Sequence, residues 1–281
     1  MLQCRRMETL TTGDGLRLHL RRWATAGPAR GTVQIVHGLG EHIERYAPLA
    51  AALNEAGWHV VGHDQRGHGR SEGARGAVPG LHALLYDLAA VRDHVGGPGR
   101  HVLLGHSMGG LVAARFVAEN LQTAPARWLR EVDGLVLSSP AFDVGLTFAQ
   151  GFLLRLLGGM APDVSVGNGL KPAWISRDAA VVARYVADPL VHKRVTPRLV
   201  RFMVEEGRHV LTLARHWRTP TLLMWAQADR CVRPGGSQAF AVAAPPSIVT
   251  TQGWPGLHHE IFNEPEREQV TARLTAWLAG F

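Results

Sequence analysis

Along the chain, segments with a strand-like pattern of apolar residues alternate with segments that have a helical one. Short apolar runs rich in branched residues have the length of buried strands, and they cover residues 32–38, 59–64, 101–107, 134–140, 221–229 and 247–253. Residues 15–23 alternate apolar and polar positions after a Gly-Asp-Gly turn, which predicts an antiparallel strand. Between the runs, apolar residues recur at helical spacing over residues 45–57, 81–95, 108–121 and 267–281. This alternation predicts an α/β fold with a mostly parallel sheet and helices on both faces.

One long interval breaks the alternation. From about residue 143 to residue 217 no strand pattern is visible, although several helical patterns are. An insertion of this length after a strand is too long for a plain loop. We therefore predict a core of residues 1–142 and 218–281 and a helical cap of residues 143–217. The cap is expected over the carboxyl edge of the sheet, where α/β folds bind ligands.

The composition of the chain limits which partners and which cellular compartment we expect for it. The chain of 281 residues has 30 basic and 23 acidic side chains, a net charge of +7. The arginines are dispersed and form no nucleic-acid-reading motif, so we expect no nucleic-acid partner. Two cysteines are too few for a disulfide framework. Since no apolar stretch resembles a secretory signal or a membrane span, we expect a cytoplasmic protein.

The candidate nucleophile lies in residues 105–109, which read Gly-His-Ser-Met-Gly and match G-x-S-x-G. The match falls between an apolar strand and an apolar-periodic helix, the context that this motif requires. A strand that reverses at once into a helix strains its central residue, and the flanking glycines leave room for the turn. Ser107 is therefore the predicted nucleophile, with the backbone N–H of Met108 at the positive helix end. The alternative role for Ser107 is a helix N-cap.

A serine nucleophile needs a base to accept its proton and a carboxylate to orient that base. In this motif context the chain order is serine, acid, histidine. Asp229 follows an apolar strand closely and is the favoured acid, with Asp143 as a minor alternative. His258 and His259 precede the last helix, and only one of them can face Ser107.

A tetrahedral intermediate also needs backbone donors for its oxyanion. Residues 37–40, His-Gly-Leu-Gly, follow the first apolar run, and their glycines permit close backbone approach. We predict the N–H groups of Leu39 and Met108 as this oxyanion hole, while His37 is expected to hold the loop. No zinc-binding spacing, P-loop or dinucleotide fingerprint is present in the sequence, so we expect no metal and no cofactor.

Longer blocks of the chain carry a wider pattern: HGLGEHIERY (37–46), HDQRGHGRSEG (63–73), GHSMGG (105–110), ISRDAAVVARYVADPLVH (175–192) and GLHHEIFNEPERE (256–268). Together they resemble the monoacylglycerol lipase and lysophospholipase-like branch of the α/β-hydrolases. The resemblance implies Ser107 as nucleophile, Asp229 as acid and His259, rather than His258, as base. That family usually has an aromatic residue where His258 stands, so this position departs from its pattern.

The resemblance also implies a cofactor-free serine ester hydrolase that acts on single-chain acyl lipids, either monoacylglycerols or lysophospholipids. It further implies a cap that shapes an acyl channel and makes transient contact with a membrane surface. Phe148, Phe152 and Leu156 share one apolar helical face and are the candidate channel or lid residues. Burial of this face within the cap is the alternative. Alternative functions are a short-chain carboxylesterase and, less favoured, a peptidase or a non-catalytic binding module.

Overall fold

The computed structural model describes residues 8–96, 99–146 and 159–281. Its strands are, in chain order, β1 (Glu8–Thr11), β2 (Arg17–Trp23), β3 (Gly31–Val36), β4 (Trp58–His63), β5 (Arg100–His106), β6 (Gly134–Ser138), β7 (Val166–Gly167), β8 (Arg194–Val195), β9 (Thr221–Ala226) and β10 (Val249–Trp254). Eight of them form one sheet in the order β1-β2-β4-β3-β5-β6-β9-β10. Strand β2 pairs antiparallel with β1 and β4, and the remaining pairs are parallel. The predicted mostly parallel sheet is confirmed.

Helices cover both faces of this sheet. The described α-helices are α1 (Ala47–Glu55), α2 (Ala83–Val95), α3 (Ser107–Ala118), α4 (Ala179–Ala187), α5 (Pro197–Leu213), α6 (Pro234–Ala243) and α7 (Arg267–Leu278). Of these, α4 packs in a separate small cluster and not on the sheet. Buried side chains of α1 and α7 form one apolar cluster with the sheet. Those of α2, α3, α5 and α6 form another cluster on the opposite face. The chain therefore has the α/β architecture, with helices on both faces of a mostly parallel sheet, that the sequence pattern predicts.

Strand β5 illustrates why the central strands read as unbroken apolar runs. Val102 and Leu104 belong to the cluster that contains α1 and α7. Leu103, between them, belongs to the cluster of α2 and α3. Because successive strand side chains point to opposite faces, a sheet covered on both sides needs apolar residues at every position.

The described part of the region between β6 and β9 contains both helices and strands. The described part contains α4, α5 and a two-stranded antiparallel ribbon of β7 and β8. Each strand of the ribbon has two residues, which is too short to leave a periodic pattern in the sequence. The predicted face of Phe148, Phe152 and Leu156 lies outside the described residues.

The parallel strands bring their following loops to one edge of the sheet. Strand β5 ends immediately before Ser107, and β3 ends immediately before the loop that starts at His37. Asp229 follows β9, and His259 follows β10. Four segments that are distant in sequence therefore meet at the carboxyl edge, where α/β folds place ligand sites. In the described part of the chain, the helices are too short or too polar to cross a membrane.

Candidate active site

Ser107 occupies a strained turn between β5 and α3. It is the first residue of α3, and its φ of +53° lies in the left-handed region that non-glycine residues rarely adopt. A Cβ atom at Gly105 would lie 2.4 Å from the carbonyl oxygen of Gly109, so this close approach requires glycine. The N-cap position of α3 is taken by His106, so the alternative role of Ser107 as N-cap is wrong.

His259 and Asp229 form a buried pair at the same sheet edge. The Nδ1 atom of His259 lies 2.6 Å from Oδ2 of Asp229, and the two side chains are 7% and 1% exposed. The other carboxylate oxygen, Oδ1, accepts the backbone N–H groups of Cys231 at 2.7 Å and Val232 at 3.1 Å. Since both oxygens have partners, the carboxylate has a fixed orientation towards the imidazole.

His258 and Asp143, the alternatives to His259 and Asp229, make other contacts. His258 is half-buried, and its backbone N–H donates to Glu264 at 3.0 Å. Asp143 accepts the N–H of Gly145 at 2.8 Å, and its side chain is 41% exposed beside Arg233. The structure therefore brings Asp229 together with His259 rather than with His258.

The ring of His259 lies beside the turn that carries Ser107. Its centroid is 4.7 Å from that of His106, the residue that precedes Ser107. Burial lowers the pKa of His259, but the charge and hydrogen bond of Asp229, with the charges of Glu260 and Glu41, outweigh it and raise the pKa. Of the two facing rings, His259 is therefore the one that gains a proton as pH falls.

The loop after β3 lies against the same turn. A Cβ atom at Gly38 would be 3.1 Å from the Cβ of Ser107. His37 holds the loop, because its Nε2 accepts the backbone N–H of Gln65 at 2.9 Å and its Nδ1 donates to the carbonyl of Gly38 at 2.8 Å. Within the described residues, the amide of Leu39 has no hydrogen-bond acceptor.

An ion-pair group that the site prediction did not include connects this loop with the histidine loop. We call Glu41, Arg45 and Glu260 the Arg45 bridge. Arg45 Nη1 lies 2.6 Å from Oε2 of Glu41 and 2.7 Å from Oε1 of Glu260, while Nη2 lies 2.7 Å from Oε2 of Glu260. The spacing of Glu41 and Arg45 predicts a local i,i+4 pair. Nothing in the spacing predicts Glu260, which is 215 positions from Arg45.

The region between β6 and β9 is joined to both loops. The backbone N–H of His192 donates to the carbonyl of Gly40 at 2.9 Å. The backbone N–H of Glu260 donates to the carbonyl of Ile175 at 2.8 Å. This region therefore contacts the loops that flank Ser107 through main-chain hydrogen bonds.

Among the described residues, one group of possible metal ligands comes together at this edge. Ligand atoms of Asp229, Cys231 and His259 lie within 4.8 Å of one another. Burial raises the pKa of the Cys231 thiol, so the thiolate that metals prefer is disfavoured. The short Asp229–His259 hydrogen bond already accounts for two members of the group.

The chain is similar to known proteins over most of its length. The family model described as serine aminopeptidase S33 matches residues 27–266. A monoacylglycerol lipase of Mycolicibacterium smegmatis is 33% identical over 95% of this chain and 94% of its own length. The crystal structure of the Paleococcus ferrophilus monoacylglycerol lipase superposes with a TM-score of 0.83 at 32% identity, covering 94% of this chain and 98% of that chain.

One further relative is much longer than this chain. An uncharacterized abhydrolase domain-containing protein of Dictyostelium discoideum is 32% identical over 97% of this chain. The chain spans only 29% of the length of that protein. The similarity therefore covers less than a third of that relative.

Proposed function

This chain belongs to the serine aminopeptidase S33 family and, within it, to the monoacylglycerol lipase-like α/β-hydrolases, and we propose that it hydrolyses esters of single-chain acyl lipids through an acyl-enzyme on Ser107. The observation that carries the proposal is the meeting of the strained Ser107 turn with the buried Asp229–His259 pair at one sheet edge. This is the arrangement that nucleophilic acyl transfer by serine needs.

In the proposed acylation step, Ser107 Oγ attacks the ester carbonyl carbon while His259 accepts the hydroxyl proton. His259 then passes this proton to the leaving alcohol oxygen, and the carbon–oxygen bond of the ester breaks. In deacylation, water adds to the acyl-enzyme and gives its proton to His259. Release of the carboxylic acid returns the proton to Ser107. Asp229 keeps Nδ1 protonated, so that Nε2 is the basic nitrogen.

The proposed oxyanion hole consists of the N–H groups of Leu39 and Met108. Met108 is in the first turn of α3, where N–H groups have no acceptor within the helix. Gly38 donates its N–H to Glu41 at 2.6 Å, which leaves Leu39 as the neighbouring donor. The Gly38 backbone approaches Ser107 closely, which supports a donor from this loop.

The proposed substrates are monoacylglycerols or lysophospholipids, because relatives of similar length are named for the first class. We also propose that residues 143–217 form the cap and that the face of Phe148, Phe152 and Leu156 lines its acyl channel. In the described part of the cap, Met160 and Val164 are exposed by 78% and 50%. These exposed apolar side chains support transient contact of the cap with a membrane surface.

A peptidase with a free-amine substrate is less well supported. Recognition of an ammonium group needs an unpaired carboxylate in the pocket. In residues 143–146 and 159–217, every acidic side chain lies within 4.0 Å of an arginine or histidine nitrogen. These acidic groups are already paired, which favours an uncharged ester substrate.

Hydrolysis of glycerol and phospholipid monoesters of graded acyl length tests the proposal. We expect release of long-chain fatty acid by the wild-type protein and its loss in Ser107→Ala. Activity on acetyl and butyryl esters alone would favour the short-chain carboxylesterase instead.

A fluorophosphonate probe tests the nucleophile separately from the substrate. We expect labelling of the wild-type protein and no labelling of Ser107→Ala. Unchanged labelling of that variant would refute Ser107 as the nucleophile. Circular dichroism of both proteins serves as the control for folding.

A further inference from the structure

The Arg45 bridge spans the two loops that the proposed mechanism uses. Glu41 is in the loop after β3, two positions after the proposed donor Leu39. Glu260 directly follows the proposed base His259. The three charged side chains of the bridge are between 5% and 11% exposed. Arg45 therefore holds both loops from one buried point.

Each carboxylate of the bridge also orients part of a loop. Glu41 Oε1 accepts the N–H of Gly38 at 2.6 Å and the hydroxyl of Tyr46 at 2.7 Å, while Oε2 accepts Arg45. The Gly38 peptide is therefore fixed by a carboxylate whose own position depends on Arg45. Glu260 receives two parallel N–H bonds from the Arg45 guanidinium, a geometry that defines direction as well as distance.

We propose that Arg45 is a positioning residue for the reaction, which sets the spacing between the oxyanion loop and the His259 loop through Glu41 and Glu260. This inference rests on the proposed function. Arg45 itself touches no reacting atom in the proposed mechanism. Its effect on catalysis is transmitted by the two carboxylates.

The bridge also sets the charge around His259. Groups close to this imidazole are Asp229, Cys231 and the ring of His106, with Glu41 and Glu260 from the bridge. The two bridge carboxylates raise the pKa of His259. A nearby cation such as the Arg45 guanidinium acts in the opposite direction on an imidazole. Removal of this cation is expected to move the His259 pKa upward.

The cap contributes a third contact to Arg45. The guanidinium carbon lies 4.9 Å from the ring centroid of Tyr185 on α4. A cation over an aromatic ring is attracted to its face. Arg45 is thus in contact with the helical region between β6 and β9 as well as with both loops.

The chain offers a matched control in Arg115. It also lies between two glutamates, Glu119 at 2.6 Å and Glu206 at 2.6 Å, and its guanidinium is 4.9 Å from the ring of Trp128. The Arg115 side chain is 9% exposed, compared with 11% for Arg45. Arg115 is on α3 and has no contact with either loop among its described hydrogen bonds. Substitutions at the two arginines therefore disturb similar ion pairs in different places.

The test compares Arg45→Lys, Arg45→Gln and Arg115→Lys with the wild-type protein, using a soluble 4-nitrophenyl ester across a range of pH. Arg45→Gln removes the cation, and we expect kcat/KM to fall by about 30-fold or more, mainly through kcat. The acid limb of its pH profile, where kcat/KM falls as His259 gains a proton, is expected to move to higher pH by about half a pH unit or more. Arg45→Lys keeps the charge but not the paired geometry, so activity should be partly rescued and the acid limb should stay in place.

Glu260→Gln is expected to shift the acid limb in the opposite direction to Arg45→Gln. Loss of this negative charge beside His259 is expected to move the acid limb of kcat/KM down. Arg115→Lys is expected to lower Tm about as much as Arg45→Lys while kcat/KM stays within about twofold of wild type. If Arg45→Gln does not fold, two variants still test the proposal. Arg45→Lys does so through its kcat relative to the wild-type protein, and Glu260→Gln through the direction in which the acid limb of kcat/KM moves.

The inference is overturned if the Arg45 and Arg115 variants lose activity equally and no acid limb moves. Failure of the proposed function would give a different experimental result. In that case the wild-type protein hydrolyses no ester, or the fluorophosphonate probe labels Ser107→Ala. An active wild-type protein with unaffected Arg45 variants refutes the positioning role alone.

Discussion

At the scale of single residues, the protonation of one histidine governs the proposed chemistry. Asp229 holds the Nδ1 atom of His259 at 2.6 Å. The facing ring of His106 has its pKa lowered to about 4, chiefly by burial and then by the charge of His259. Because His106 stays neutral, we expect the proton that stops the proposed reaction at low pH to be the one that His259 binds.

The pH dependence of ester hydrolysis follows from this pair. His259 is a base only when it is neutral, and its pKa is raised above the ordinary value. We expect kcat/KM to fall towards acid with a midpoint above about 6.5. Measurement over about pH 5 to 9 checks this, and a midpoint well below the ordinary histidine value would contradict it. Asp229→Asn is the control, because loss of the carboxylate charge should move the midpoint down and lower kcat.

The sequence located these residues because each one follows a strand of the predicted sheet. It did not separate His258 from His259 by pattern, and only the resemblance to a family favoured His259. The two are adjacent in the chain, so no spacing rule distinguishes them. The hydrogen bond to Asp229 does distinguish them, because it is made by His259.

At the scale of elements, α3 is buried along all 12 of its residues and lies against the central strands. The closest approach is at Gly109, where a Cβ atom would lie 2.2 Å from the carbonyl oxygen of Val36 and 2.3 Å from that of His37. These atoms belong to the end of β3 and the start of its loop. One missing side chain therefore fixes how near the nucleophile helix comes to the proposed oxyanion loop.

Gly109→Ala tests this packing. The added methyl group meets backbone rather than a flexible side chain, so α3 must move away from β3. We expect the free energy of unfolding to fall by about 1–3 kcal/mol, together with a loss of ester hydrolysis. Gly235→Ala is the control, because a Cβ atom there meets nothing within 4 Å. Equal stability of the two variants in urea unfolding would contradict the prediction.

Elements with a clear period were predictable, and those without one were not. Helix α6 begins with Pro234 followed by two glycines, so its first turn lacks an apolar face. Strands β7 and β8 have two residues each. The Arg45 bridge was missed for a related reason, since its partner Glu260 reaches Arg45 only after the sheet has brought the two loops together.

At the scale of the whole molecule, the net charge of +7 gives the protein a long-range attraction to anionic surfaces. The arginines are dispersed along the chain, and many are paired with carboxylates. The attraction therefore arises from the total charge rather than from one basic patch. A lipid surface with negative headgroups offers a suitable partner, and proteins attracted in this way are released by salt.

Vesicle binding tests the proposed membrane contact. We expect Ser107→Ala, which leaves the lipid intact, to sediment with anionic phospholipid vesicles at low salt and to be released at about 0.5 M salt. Met160→Asp is expected to weaken binding further, because Met160 is 78% exposed on the described part of the cap. Equal sedimentation with neutral vesicles, or binding that salt does not change, would contradict an electrostatic contact.

The main-chain hydrogen bonds from His192 to Gly40 and from Glu260 to Ile175 have a consequence for protein engineering. Main-chain bonds persist when side chains are exchanged, so residues 175 and 192 act as fixed joints for any transplanted segment. A chimera that takes this region from a relative must reproduce the backbone path at both joints. Between them, Tyr185 and Asp188 must also be kept, because they contact Arg45 and His42, while the exposed side chains of α4 can be exchanged.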